Sequence, residues 1–238
     1  MSAQRHSLPD AAAAAEACAH RVTGLLEAAL GGGEFATLAV SGGSTPRLLF
    51  EKLATLRFDW SRVHLFWVDE RCVPPTDPAS NYKLAKDWLI PGARIPERNV
   101  HRIVGEVAPK EAAHLYVEEI RRFFGLEPDE MPRFDVVQCG MGPDAHTASL
   151  FPGEPLIEDR AGIAAAVFAP QFNQWRVTLL PGPLLAARHV VYLVSGADKV
   201  EAVRAVFEGP FEPKTYPAQL VGRSAEWFLD EAAARLLE

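Results

Sequence analysis

Apolar and polar positions along this chain follow two rhythms that alternate for most of its length. An Ala-rich stretch opens at Pro9-Asp10 and runs to about Leu30, where Gly31-Gly32-Gly33 stops it. Glu16, His20 and Arg21 interrupt it at intervals of about a helical turn, which predicts a surface helix and not a signal peptide. Short apolar runs at Phe35–Val40, Val63–Val68, Phe134–Cys139, Ile163–Phe168, Trp175–Leu180 and Val190–Val194 read as strands. Helices are expected between them: one starting at Pro46, a favoured first position, and one from about Asn81 to Leu89. Another covers Pro109–Phe124, where Ala112, Ala113, Tyr116, Val117, Ile120 and Phe124 share a face, and a fourth runs from Ala197 to Phe207. A short strand around Gln219–Val221 and a helix from Ala225 to Leu237 complete the pattern. Strands alternating with helices predict an α/β fold with a largely parallel central sheet and helices on both faces. With no internal repeat and no low-complexity linker, residues 1–238 are expected to form a single domain.

The chemistry gathers in the turns that follow the strands. Phe134–Cys139 ends in Gly140-Met141-Gly142-Pro143-Asp144-Ala145-His146, a Gly-rich turn carrying an acid and an imidazole two residues apart. Ligands of open α/β sheets sit at that carboxyl edge. The turn formally matches G-x-G-x-x-A, but Asp144 inside the loop would repel a pyrophosphate, and no βαβ unit with a terminal acid follows. G-x-S-x-G, a P-loop and H-E-x-x-H are all absent, and His and Cys nowhere group at metal-ligand spacing, so no metal and no cofactor is expected. What remains is His146 as a base that needs little tuning at neutral pH, with Asp144 placed to orient it or to bind a hydroxyl. His64, inside a strand, reads as a packing residue.

Ser41-Gly42-Gly43-Ser44-Thr45-Pro46 links a strand to a helix start. It suits a phosphate or a carbonyl oxygen, and equally a tight turn with Ser44 or Thr45 as the cap. Asp69-Glu70-Arg71 reads either as part of the same edge or as the exit of a strand into water. Asn81 reads as a contact to a ligand hydroxyl or as a helix cap, with Ser80 competing for the second role. Arg176 lies within a strand, on the side opposite Trp175, Val177 and Leu179, as a solvated or carboxylate-paired residue. Lys199 is expected in the first turn of a helix, where the dipole disfavours a cation by about 0.3–1 kcal/mol; a bound anion would account for it, as would simple exposure.

Composition narrows the partners. Hydrophobic residues make up 48% and charged residues 23%, which excludes disorder. A formal net charge of −7 gives no general attraction for nucleic acid or an anionic membrane, so neither is expected as a partner. No apolar run approaches the ~20 residues that span a bilayer. Cys18, Cys72 and Cys139 are odd in number and widely spaced, which suits free thiols in the cytoplasm.

Taken in order, SGGSTP, WVDERCVPPTDPASN, GMGPDAHTASLFPG, RVTL and a G-x-x-K turn resemble the 6-phosphogluconolactonase family from about Leu38 to Lys199. That family shares a modified Rossmann-like fold with glucosamine-6-phosphate deaminase. The deaminase pattern has Tyr where this chain has Arg71, Tyr after Ser where it has Asn81, and I-A-F-N-E-P where it has Thr147–Pro152, so the resemblance favours the lactonase. One departure is Ala145, at a position where the family usually has Gly between the Asp and the His. The resemblance implies hydrolysis of 6-phospho-D-glucono-1,5-lactone to 6-phosphogluconate in the oxidative pentose phosphate pathway, by a monomer or weak homodimer. It implies His146, Asp144 and Arg71 as catalytic residues. Gly42, Gly43, Ser44, Thr45, Asp69, Asn81, Arg176 and Lys199 would bind the sugar-phosphate lactone, with Arg176 and Lys199 on the 6-phosphate.

Overall fold

In the computed structural model, which describes residues 3–237, six strands form one parallel sheet. They are β1 (Gln4–Leu8), β2 (Ala36–Val40), β3 (Val63–Trp67), β5 (Val136–Cys139), β8 (His189–Val194) and β9 (Glu226–Asp230), in the order β1-β9-β8-β5-β2-β3. All five residues of β2 are buried, as both faces of an inner parallel strand require. The helices Ala11–Gly32, Ser44–Leu53 and Val200–Glu208 pack around this sheet, and Leu26, Leu38, Leu49, Phe66, Tyr192 and Trp227 anchor the core. The long first helix is capped by Asp10, whose carboxylate accepts from the Ala13 N–H.

The predicted strands at 163–168 and 175–180 exist, but outside the parallel sheet. β6 (Ala164–Ala169) and β7 (Gln174–Leu179) form an antiparallel hairpin, and β4 (Asp69–Arg71) pairs antiparallel with β7 to complete a separate three-stranded sheet. The three charged residues that follow the predicted strand Val63–Val68 therefore pass into a second sheet, which aligns Arg71 directly opposite Arg176.

The last quarter of the chain departs from expectation. Gln219–Gly222 is a helical turn and not a strand, because the fully buried Gln219 amide donates to the Ala205 and Pro210 carbonyls and accepts from the Glu212 N–H. The expected helix from Ala225 begins instead as β9. Its Trp227 stacks on Tyr192 with centroids 4.0 Å apart, and the strand pairs with β8 on one side and β1 on the other. Only Glu231–Ala234 is helical, started by the Asp230 cap. β1, which closes that edge, has an exposed, polar sequence without strand signal.

His64 packs among Phe35, Phe123 and His101, as a packing residue should. Its Nδ1 lies 2.8 Å from His101 Nε2, and His101 Nδ1 lies 2.7 Å from a Glu119 carboxylate oxygen. Donation to Glu119 leaves His101 Nε2 as the acceptor for His64 Nδ1–H, so both rings sit neutral. Burial pushes both imidazoles down to about 4. The unfolded chain binds these protons near pH ~6.5. Stability is thus complete above ~6.5 and is lost as pH falls towards 4. Acid across that window therefore destabilises the fold, and the partly exposed His64 contributes less to the loss than the buried His101. Urea unfolding at pH 7 and pH 4.5 should show this slope, and a His64→Phe/His101→Phe variant should flatten it; an unchanged slope in the variant would assign the acid sensitivity elsewhere.

Candidate active site

From β2 the chain crosses to β3 on one side and later returns to β5 on the other, so the strand order reverses between β2 and β5. A crevice opens beyond the carboxyl ends of strands at such a point. Here it is a cleft of about 540 Å³, lined by the turns after β2, β5 and β8 and roofed by the second sheet. That volume suits a small organic ligand.

The turn after β2 is pinned from behind by Gln138 of β5, whose side-chain oxygen accepts from the Ser41 N–H while its carbonyl accepts from the Ser41 hydroxyl. Gly42 must lack a side chain, since a methyl there would run into the Asn81 amide. The helix begins at Ser44 with Gly43 as cap, and no side chain covers its end. Neither Ser44 nor Thr45 is the cap; the Thr45 hydroxyl lies 2.9 Å from that of Ser195, tying this turn to the one after β8. The uncovered N–H groups at a helix start leave this corner favourable to an anion.

In the turn after β5, the Asp144 Oδ1 accepts from the His146 backbone N–H at 3.2 Å and sits 2.5 Å from His146 Nδ1. A carboxylate only accepts, so Nδ1 carries the hydrogen and Nε2 keeps its lone pair. Partial burial works to raise the Asp144 carboxyl, but the hydrogen bonds it accepts from His146 outweigh it and hold the carboxyl below its ordinary range. Gly142 makes the fold-back possible, because a methyl there would strike both the imidazole and the Asp144 carboxylate. Ala145 adopts φ 62°, left-handed and fully buried, so the turn carries the strain of about 1–2 kcal/mol that a side chain brings to that conformation. The loop conformation nevertheless keeps Asp144 and His146 in contact.

The second sheet supplies two of the cations. Arg71 and Arg176 stand opposite each other across β4 and β7, where like charges are unfavourable. Both guanidinium Nε atoms are buried without a hydrogen-bond partner. Burial pushes the Arg176 guanidinium down, with Asp69 opposing and Arg71 reinforcing, though it stays charged. Arg71 donates to the Ala79 carbonyl, and Arg176 reaches the Asp69 carboxylate only at 3.8 Å. Asp69 accepts from the Ser149 hydroxyl at 2.6 Å and from the Asn81 amide at 3.3 Å. Glu70 is no exit into water: it is buried and accepts from the Arg71, Asn81 and Tyr82 N–H groups and the Ser80 hydroxyl. Burial pushes its carboxyl above the ordinary range against the pull of those donors.

Gly42, Gly43, Ser44, Thr45, Asp69, Arg71, His146, Arg176 and Lys199 therefore line one cleft. Asp144 stands behind His146. Asn81 also stands behind the wall: it is buried, its amide donates to the Asp69 carbonyl, and Ser80 takes the capping role by accepting from the Lys83 N–H. Lys199 is in a 3-10 turn that precedes the helix, with its Nζ 2.8 Å from Asp198. Phe172, Gln174 and Ser195 line the cleft without being singled out from the sequence. Gln174 and Phe172 come from the hairpin joining β6 to β7, and only the pairing of that hairpin with Asp69–Arg71 reveals its place. Among the described residues no group of three or more His, Cys, Asp or Glu is placed to hold a metal ion, and no helix is long and apolar enough to cross a membrane.

Residues 9–229 match the model of the family described as glucosamine-6-phosphate isomerases/6-phosphogluconolactonase. The chain is 37% identical over 204 residues to the 6-phosphogluconolactonase of Synechocystis sp., an alignment covering 84% of each protein. It is 34% identical to the 6-phosphogluconolactonase of Mycobacterium bovis, across 99% of both. The solved 6-phosphogluconolactonase of Trypanosoma cruzi superposes with a TM-score of 0.88 at 27% identity, covering 100% of this chain and 98% of that one. A family match across nearly the whole chain, relatives that span it, and a parallel sheet whose reversal point carries this cleft agree, and the chain belongs to the glucosamine-6-phosphate isomerase/6-phosphogluconolactonase family.

Proposed function

We propose that this protein is a 6-phosphogluconolactonase, hydrolysing 6-phospho-D-glucono-1,5-lactone to 6-phosphogluconate in the oxidative pentose phosphate pathway. The observation that carries the mechanism is the bond between His146 Nδ1 and Asp144, which leaves Nε2 free as a base in a cleft that also holds three cations. In this reading His146 Nε2 takes a proton from water as the oxygen attacks the lactone carbonyl. The tetrahedral oxyanion meets Arg71 and the N–H groups of the Gly42-Gly43 turn. The intermediate collapses with cleavage of the ring carbon–oxygen bond, and the proton on His146 passes to the departing ring oxygen. Arg176 and Lys199, with the open helix start at Ser44 and Thr45, hold the 6-phosphate and so fix the ring relative to the base. Asp69 and Asn81 act by organising this wall, Asp69 beside Arg176 and Asn81 behind Gly42. The free thiols of Cys18, Cys72 and Cys139 suit a cytoplasmic setting.

The deciding measurement is lactone hydrolysis with the spontaneous rate subtracted, run beside ammonia release from glucosamine 6-phosphate. Acceleration of the first without the second is the expected result. Ammonia release without lactone hydrolysis would make the chain a deaminase, and binding without either turnover would leave a sugar-phosphate-binding module.

A further inference from the structure

Phe172 is an exposed aromatic that the core does not use. It ends the short turn Pro170–Phe172 between β6 and β7, is 53% exposed, and lies outside the hydrophobic core cluster. Asn173 follows in the left-handed conformation with φ 47°, which turns the hairpin back over the cleft and brings Phe172 to its lining. The Arg176 guanidinium carbon is 4.6 Å from the centre of the Phe172 ring and 5.6 Å from that of Phe151. The two rings are 6.1 Å apart, and Phe151 is in turn 4.7 Å from the His146 imidazole.

Arg176 needs such support. Its Nε is buried without a partner, and the nearest carboxylate oxygen, on Asp69, is 3.8 Å away, beyond hydrogen-bond reach. Arg71 faces it across the strands and repels it. Among the described residues no carbonyl or carboxylate accepts a hydrogen bond that would fix the plane of this guanidinium. An aromatic face within about 6 Å attracts a cation and sets its orientation, more strongly where water is thin. Here two faces do so, and the nearer belongs to a residue outside the hydrophobic core.

We infer that Phe172 is a positioning residue for phosphate recognition: its ring holds the Arg176 guanidinium in place over the cleft, so that it sets affinity for the phosphorylated substrate. The inference rests on the lactonase reading for its substrate, and on the geometry of Phe172 and Arg176 for its mechanism.

The test uses Phe172→Ala, Phe172→Leu and Phe172→Trp in the full chain, with two readouts. In steady-state hydrolysis of 6-phosphogluconolactone, the Ala and Leu variants should raise KM about five- to tenfold and leave kcat within about twofold, while the Trp variant keeps the KM of the parent. Hydrolysis of unphosphorylated gluconolactone should be unchanged in all three. In calorimetry with inorganic phosphate as the probe, Kd should rise by a similar factor in the Ala and Leu variants and not in the Trp variant. Leu keeps apolar bulk but has no π face, so a Leu variant that binds phosphate like the parent overturns the inference. An equal loss on phosphorylated and unphosphorylated lactone overturns it as well, because the ring would then serve the cleft at large. If the parent protein hydrolyses neither lactone, the proposed function fails, while the phosphate titrations still decide the role of Phe172.

Discussion

His146→Ala should lower kcat/KM for 6-phosphogluconolactone about a thousandfold, within the ~10²–10⁴ range that a positioned general base contributes. The loss should fall on kcat, since the imidazole is proposed to act on the attacking water, whereas the proposed phosphate contacts of Arg176 and Lys199 set KM. The lactone opens by itself, so the measurement must be taken above the buffer rate. Asp144→Asn sharpens the result. An amide can donate where the carboxylate could only accept, so it allows His146 Nδ1 to lose its hydrogen and Nε2 to carry one. A base in the wrong tautomer is nearly as damaging as a missing one, with a fall of about a hundredfold or more expected despite a nearly identical shape. Thermal unfolding should be little changed in His146→Ala, because the ring is partly exposed and its main partners are Asp144 and Phe151. A His146→Ala enzyme that retained more than about a tenth of parental kcat/KM would remove His146 from the base role.

Much of this site was legible because each residue lies within a few positions of a strong local signal. Gly140 to His146 follows an apolar run, and Ser41 to Pro46 joins another to a helix, so the strand ends announced the turns that line the cleft. Both turns open at the carboxyl ends of adjacent parallel strands, β2 and β5. The roof of the cleft was harder to foresee. Arg176 and Thr178 alternate with their neighbours in any strand, and nothing local says that the strand pairs with Asp69–Arg71 about a hundred residues earlier. Phe172 and Gln174 inherit their place from that same long-range pairing. The C-terminal misreading has a different cause. Ala, Glu and Leu are common after Ala225 and favour a helix, but Trp227, Phe228 and Leu229 fit between β8 and the helices, and burial of these large side chains outweighs propensities of a few tenths of a kcal/mol per residue. β1 carries no signal because it borrows its conformation from β9, to which it pairs along its whole length.

Glu70 shows a structural demand that a local reading leaves open, and its removal carries a large expected effect on stability. Three consecutive charges after an apolar strand suggest an exit into water, where replacing the middle one would change stability by no more than ~0.5 kcal/mol. In the fold Glu70 is 2% exposed, and its carboxylate collects four donors. Two of these are the backbone N–H groups of Asn81 and Tyr82, the first residues of the helix Asn81–Trp88, which have no carbonyl of their own helix to reach. Glu70→Ala strands several buried donors at once, each carrying a desolvation penalty of about 1–3 kcal/mol when left unmade. A loss of about 3–5 kcal/mol follows, a fall in Tm of roughly 6–20 °C for a chain of this length. Glu70→Gln keeps the volume and half of the acceptors, so it should fall between the two. The same variants should also weaken catalysis, because Glu70 ties the loop that presents the Ala79 carbonyl to the Arg71 guanidinium, and Asn81 on that helix backs Gly42. Calorimetric melting paired with lactone turnover checks both effects. A Glu70→Ala protein that melts within 2 °C of the parent would return Glu70 to the surface role, one of the two readings the sequence leaves open.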